Sequence, residues 1–189
     1  MEKLRIGLAF TGSYCTYDKA FAAAERLCEK YDVTAIMSET AASTDSRFGL
    51  SGDFMARLEA MTGKRVLKTI VEVEPIGPQR MFDVLVIAPC TGNTAAKLAA
   101  GITDTAVTMA AKSHLRNSRP LVIAVSTNDA LAGAAENIGK LLARKNYYFV
   151  PFGQDDPAEK PASMVANFSQ IPTALTFALE GKQMQPILM

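Results

Sequence analysis

The stretch Val84–Asp104, VLVIAPCTGNTAAKLAAGITD, reads as one strand-to-helix unit. Val84–Pro89 is a continuous apolar run rich in β-branched residues, which suits a strand buried on both faces of a sheet. Pro89 ends the strand, Gly92 permits an unusual backbone angle, and Asn93–Ala100 has the composition of a helix. Thr91, Asn93 and Thr94 crowd hydroxyl and amide groups onto the corner between them. Such a corner is either a plain helix cap or a seat for something small and polar.

The same alternation recurs outward from this unit. Strand-like runs cover Leu4–Phe10, Val33–Ser38, Val66–Val73, Leu121–Ser126 and Tyr147–Pro151, and helical patterns cover Asp18–Lys30, Ser51–Met61, Ala130–Lys145 and a last segment near Ser169–Glu180. Strands that alternate with helices predict an α/β fold: a Rossmann-like, doubly wound parallel sheet in three layers, α/β/α. Ser51 is expected to cap its helix and Gly63 to end it in a left-handed turn. Glu39–Gly52 shows no period and reads as a loop, and Pro151–Pro161 reads as a surface excursion.

At 189 residues the chain suits one domain, 1–189, large enough to bury a core and line a pocket. Its net charge of +1 makes no electrostatic case for nucleic acid or an anionic membrane. MEKLRIGLAF runs straight into a strand without the core of a signal peptide, and no apolar stretch reaches the ~20 residues of a membrane span. A cytoplasmic protein is expected. Cys15, Cys28 and Cys90 are odd in number and lack zinc-site spacing, so neither a disulfide framework nor a metal is expected.

In open α/β sheets ligands gather beyond the carboxyl ends of the strands. The first such loop, FTGSYCTYDKA at Phe10–Ala20, carries Thr11, Gly12, Ser13 and Thr16 but not the G-x-G-x-x-G of a dinucleotide site. No G-x-x-x-x-G-K-[ST] occurs either, which disfavours a nucleoside triphosphate hydrolase. Hydroxyls at a helix start can hold one phosphate or carboxylate. Two such corners on neighbouring strands would converge on one anion.

These residues carry a resemblance. PCTGNTAAKLAAGITD is similar to the P-x-S-x-N-T-x-x-K-x-x-x-G-x-x-D signature of the flavin-containing cysteine decarboxylase and flavoprotein family, and GSYCTYDKA resembles that family's G-S-x-x-x-Y-K-x loop. STDSRFG (43–49), AAKSHLRNSRPLVIAVSTNDAL (110–131), NYYFVPFGQDDPAEKPASMVA (146–166) and GKQMQPIL (181–188) resemble its branch of dipicolinate synthase B subunits in spore-forming bacteria. The resemblance implies a Rossmann-like fold that binds FMN. It also implies a share in converting 4-hydroxytetrahydrodipicolinate to dipicolinate, by loss of water and NADP-linked oxidation, in the mother cell during sporulation. An A subunit would be the partner and would carry the NADP, and the chain itself would form a homo-oligomer.

Carried over residue by residue, the flavin cradle falls on Thr11, Gly12, Ser13, Ser38, Pro89, Thr91, Asn93, Thr94 and Asn128. Thr91 stands where the family usually has Ser, and a hydroxyl is kept. Two departures separate the chain from the decarboxylase branch. His114 is its one histidine, and STNDAL at Ser126–Leu131 lacks the Met and Trp of the P-x-M-N-x-x-M-W clamp, keeping Asn128. A free-standing FMN-dependent decarboxylase or redox flavoprotein is therefore an alternative with less support, and a non-catalytic subunit that stabilises the A subunit stays open.

The implied small dicarboxylate substrate asks for fixed cations, and the planar fork of Arg suits it. Arg47, beside Thr44, Asp45 and Ser46, is the first candidate, ahead of Arg116 and Arg119; Asn93 is a second candidate for the catalytic centre. His114 is expected to be a surface or packing residue, and Cys15 and Cys90 are expected to pack, not react. Cys28 is expected in the core. Asp155 and Asp156 are expected to form a turn or to contact a neighbouring subunit.

Overall fold

The computed structural model describes residues 3–189. Its strands are β1 (Arg5–Phe10), β2 (Asp32–Met37), β3 (Val84–Cys90), β4 (Leu121–Thr127), β5 (Tyr147–Phe149), β6 (Phe152–Gly153) and β7 (Met164–Ala166). Its helices are α1 (Tyr17–Lys30), α2 (Glu39–Ser43), α3 (Ser51–Thr62), α4 (Ile70–Val73), α5 (Gly92–Ala100), α6 (Ala106–Leu115), α7 (Ala135–Leu142) and α8 (Ile171–Leu179). Among the described residues no helix is long and apolar enough to cross a membrane.

The parallel strands lie in the order β2-β1-β3-β4, with β5 paired to the first half of β4. Every residue of β3 is buried, and so are the last five of β1 and of β2. That burial on both faces is why these strands read as unbroken apolar runs. Helix α1 packs with α8 and α3, while α5 packs with α6 and α7, so helices cover the sheet on both sides. Strands are added to one side of β1 and then, from β3 on, to the other, and this switch point opens a crevice beyond the carboxyl ends of β1 and β3.

Local chemistry sets the helix ends. Thr91 caps α5 by accepting from the N–H of Thr94, and Gly101 ends the helix at φ +73°. Ser38 caps α2 by accepting from the N–H of Ala41. Gly63 ends α3 in the left-handed turn expected of it.

Five expectations are corrected. Val66–Val73 is not a strand: Leu67 makes one parallel bridge to Ile36, and then Thr69 and Glu72 form a capping box that starts α4. A β-branched run at a sheet edge lost to a strong capping signal. Glu39–Gly52 is not all loop, because Ser38 nucleates α2 and a tight turn closes between Ser46 and Gly49. Ser51 does not cap α3; Leu50 occupies that position, and the Asp45 carboxylate takes the Ser51 N–H and hydroxyl instead. Ala130–Lys145 is helical only over α7, since Asp129–Ala134 folds into turns. Finally, Pro151–Pro161 is not a bare excursion: β6 pairs antiparallel with β7, and β7 with the end of β4, extending the parallel sheet.

Candidate functional site

Thr11 joins the two corners that flank the switch point. Its hydroxyl donates to the carbonyl of Pro89 at 2.7 Å and accepts from the N–H of Thr91 at 3.1 Å, and it is fully buried. The buried phenol of Tyr17 in turn donates to the Thr11 carbonyl at 3.0 Å. Thr11 is therefore the weld between the β1 and β3 corners. The neighbouring stretch of β3 carries a cis Ala88–Pro89 peptide and a shift of register between Ile87 and Cys90.

Ser13 reaches a third corner. Its hydroxyl shares a 2.7 Å hydrogen bond with that of Ser126 at the end of β4, which also meets Thr16 at 3.1 Å. Tyr14 ties the loop outward by donating to the carbonyl of Thr40 at 3.0 Å. Tyr14, Tyr17, Phe21 and Phe54 form a ring cluster that clamps the start of α1 onto α3. Edge and tilted ring pairs of this kind add to simple area burial.

The two corner glycines differ. A Cβ placed on Gly12 would meet nothing nearer than Tyr14 at 3.8 Å and Thr40 at 3.9 Å. Neither packing nor a positive φ demands a glycine there, so the bare backbone faces an open side of the corner. A Cβ on Gly92 would lie 2.8 Å from both Asp129 Oδ1 and Thr127 Oγ1. The Thr127 hydroxyl donates to that Asp129 oxygen, so a carboxylate already lies against the start of α5.

The remaining predicted residues fall as follows. Thr91 donates to Thr94 at 3.0 Å in addition to capping α5, and both sit at the crevice. Asn93 and Asn128 are exposed at its rim, and their side chains have no hydrogen-bond partner among the described residues. Arg47 is exposed on the α2–α3 loop with its guanidinium 4.9 Å from the ring of Phe48. Arg119 pairs with Asp83 at 3.2 Å, and Arg116 ends α6. Both precede β4, at the opposite end of the sheet from the crevice, and are removed from the candidate set.

His114 is buried and bonded to the Pro120 carbonyl at 2.9 Å, as a packing residue. Burial above all pushes its pKa down to about 4, leaving it neutral. The Cys90 thiol is buried and pushed up to about 12, which rules it out as a thiolate. Cys15 is corrected: it is exposed, because the single 3-10 turn that carries it projects from the loop. Cys28 is half-buried at the margin of the core. Asp156 accepts from the N–H of Glu159, the expected turn.

Ser126, Thr127 and Asp129 lie outside the candidate set drawn from the sequence, although the strand-end rule points to their loop. Glu39 lies outside it too, and its carboxylate caps α6 by accepting from the Ala106 N–H at 2.9 Å. The corners form an open shelf. Half-open clefts lie elsewhere: one of about 380 Å³ beside Arg5, Cys28 and Tyr31, another of about 350 Å³ between α1 and Asn167.

The sequence profile of flavoproteins matches residues 1–171. The chain belongs to the flavoprotein family. It is 45% identical over 185 residues to the dipicolinate synthase B subunit of Bacillus subtilis, covering 97% of this chain and 92% of that relative. The crystal structure of the dipicolinate synthase B subunit from Bacillus halodurans superposes with a TM-score of 0.90 at 42% identity, covering 100% of this chain and 98% of that one. A flavoprotein fold at greater distance is that of Burkholderia xenovorans DmrB in complex with FMN, with a TM-score of 0.69 at 21% identity over 94% of this chain and 96% of the other.

Proposed function

We propose that this flavoprotein-family chain acts as the B component of a dipicolinate-forming enzyme, as one domain spanning 1–189, and seats FMN on the shelf between β1 and β3. The observation that carries the seat is the pair of strand-to-helix corners welded by Thr11, with the backbone of Gly12 bare on the open side. A mononucleotide phosphate needs N–H groups, hydroxyls and close backbone approach. Gly12 offers the close backbone approach, Ser13 a hydroxyl, and the Tyr14–Thr16 turn its leading N–H groups, so the residues present fit the group.

Thr11 and Ser38 shape the seat from behind, since their hydroxyls are engaged in the weld and in capping α2. Pro89, Thr91, Asn93 and Thr94 form its second wall, and Asn128 lies at its rim. When bound, FMN supplies a redox-active ring. The near-full-length likeness to the Bacillus subtilis protein supports the overall reaction. In that reaction 4-hydroxytetrahydrodipicolinate loses water, and the dihydro product then passes two electrons and a proton to NADP, releasing a second proton. The NADP belongs with the A subunit, because this chain lacks a dinucleotide loop.

Arg47 and Asn93 are the proposed contacts to substrate. Exposed Phe48, Leu50 and Val71 support a homo-oligomer, since burying them needs another protein surface. The reading is tested by mixing this chain and a purified A subunit with substrate and NADP and following dipicolinate. Formation that needs both proteins is expected, and the full rate from the A subunit alone would remove a catalytic role for this chain. Added FMN should be retained by this chain with its visible absorbance band.

A further inference from the structure

We propose that Asp129 sets the charge of the α5 half of the shelf, so that the seat takes a ligand with one anionic end and an uncharged edge, and disfavours a carboxylate placed beside α5. The inference rests on the reading of the shelf as a ligand seat. It concerns a residue that the flavoprotein signature does not specify.

The position of this carboxylate is built by three other residues. Gly92 from α5 and Gly133 from the turn after β4 lie on either side of it, and a Cβ on either would crowd it, at 2.8 Å from Oδ1 and 3.3 Å from Oδ2. Thr127 supplies a hydroxyl donor to Oδ1. The Asp129 carbonyl accepts from the N–H groups of Ala132 and Ala134, which holds the residue in its turn. Two close glycines and a dedicated donor fix the carboxylate against the first residue of α5.

The start of a helix carries about half a positive charge, which is what attracts an anion. Asp129 brings a full negative charge to the same place. The α5 corner therefore differs from the α1 corner, where Gly12 faces an open side and Ser13, Ser126 and Thr16 share hydroxyl contacts. An ionised carboxylate only accepts hydrogen bonds, so it favours a ligand edge that carries N–H. A ligand carboxylate brought within about 6 Å of it is weakened roughly tenfold at a dielectric of ~40. A mononucleotide flavin, with one phosphate end and an imide N–H on its ring, satisfies both corners. A dicarboxylate would meet repulsion at the second, so its carboxylates belong toward cations such as Arg47, and Asn93 is left to contact an uncharged part of the substrate.

The test compares the full-length chain with Asp129→Asn, which keeps the shape and removes the charge, and with Asp129→Ala in case Asn alters the turn. Each is titrated calorimetrically with dipicolinate and, separately, with FMN, after urea unfolding has checked the fold. Removal of the charge should strengthen dipicolinate binding about tenfold in both variants. Equal affinity in the three proteins, including no binding in any, would overturn the role of Asp129. FMN uptake by the unmodified chain decides the cofactor reading by itself: its absence would remove the flavin while leaving the dipicolinate comparison to decide the charge.

Discussion

The β1 and β3 corners are two solutions to the same local problem, a buried strand that must turn into a helix through a glycine. At the β1 corner Gly12 leaves backbone bare and nothing in the protein fills the space. At the β3 corner the space over Gly92 is filled by Thr127 and Asp129, brought in from the next strand. The same residue type thus does opposite things. One glycine keeps room for something from outside, and the other makes room for part of the chain itself.

The largest expected effect breaks the first half of this contrast. Gly12→Leu should weaken FMN binding by about 100-fold, or ~2.7 kcal/mol, because its side chain would fill the open side of the corner. Thermal stability should change little, since a Cβ there clears every protein atom by 3.8 Å. Fluorescence titration and a melting curve read the two quantities, and undiminished binding would show that the ligand does not approach this backbone.

The second half is sharpened by Gly92→Ala. Its Cβ would push Asp129 from its Thr127 donor, and a loss of roughly 1 kcal/mol in urea unfolding is expected from such overpacking. In an Asp129→Ala background the cost of the same substitution should shrink, because only the Thr127 hydroxyl, released from its acceptor, still lies 2.8 Å from the added Cβ. An unchanged cost in that background would mean that the carboxylate takes no part in filling the space.

A third test lies away from both corners and serves as their control. Burial lowers the folded pKa of His114 from 6.5 to about 4, so between those values the unfolded chain binds a proton that the native chain refuses. The contribution of neutral His114 is complete above pH 6.5 and is lost as pH falls through 4. Urea midpoints measured from pH 7 to 4 should show this decline, and His114→Gln should flatten it. An equal slope in the variant would exclude His114 as its source. FMN binding by that variant at pH 7 should match the unmodified chain.

The family pattern and the apolar periods made much of this legible. VLVIAPC predicted a strand buried on both faces, and P-C-T-G-N-T-A-A-K predicted both the helix start and the flavoprotein family. What escaped was the use of each hydroxyl. Thr91 reads equally well as a cap or as a ligand contact, and it caps. Ser126 reads as the end of a strand, yet it closes a hydrogen-bonded group with Ser13 and Thr16. Val66–Val73 misled because β-branched composition favours a strand while its Thr69–Glu72 capping box started a helix.

The sequence by itself determined the alternation of strand and helix, the caps and stops within reach of a single turn, and the absence of a dinucleotide loop, because each depends on neighbours a few residues apart. The tertiary structure alone decided which groups are engaged with each other. The partner of Thr11 lies 78 residues along the chain and that of Ser13 lies 113 away. Local patterns carry no record of such distant pairings. Packing the sheet in the order β2-β1-β3-β4 brought them together, and it also placed Asp129 over Gly92 while leaving Gly12 open.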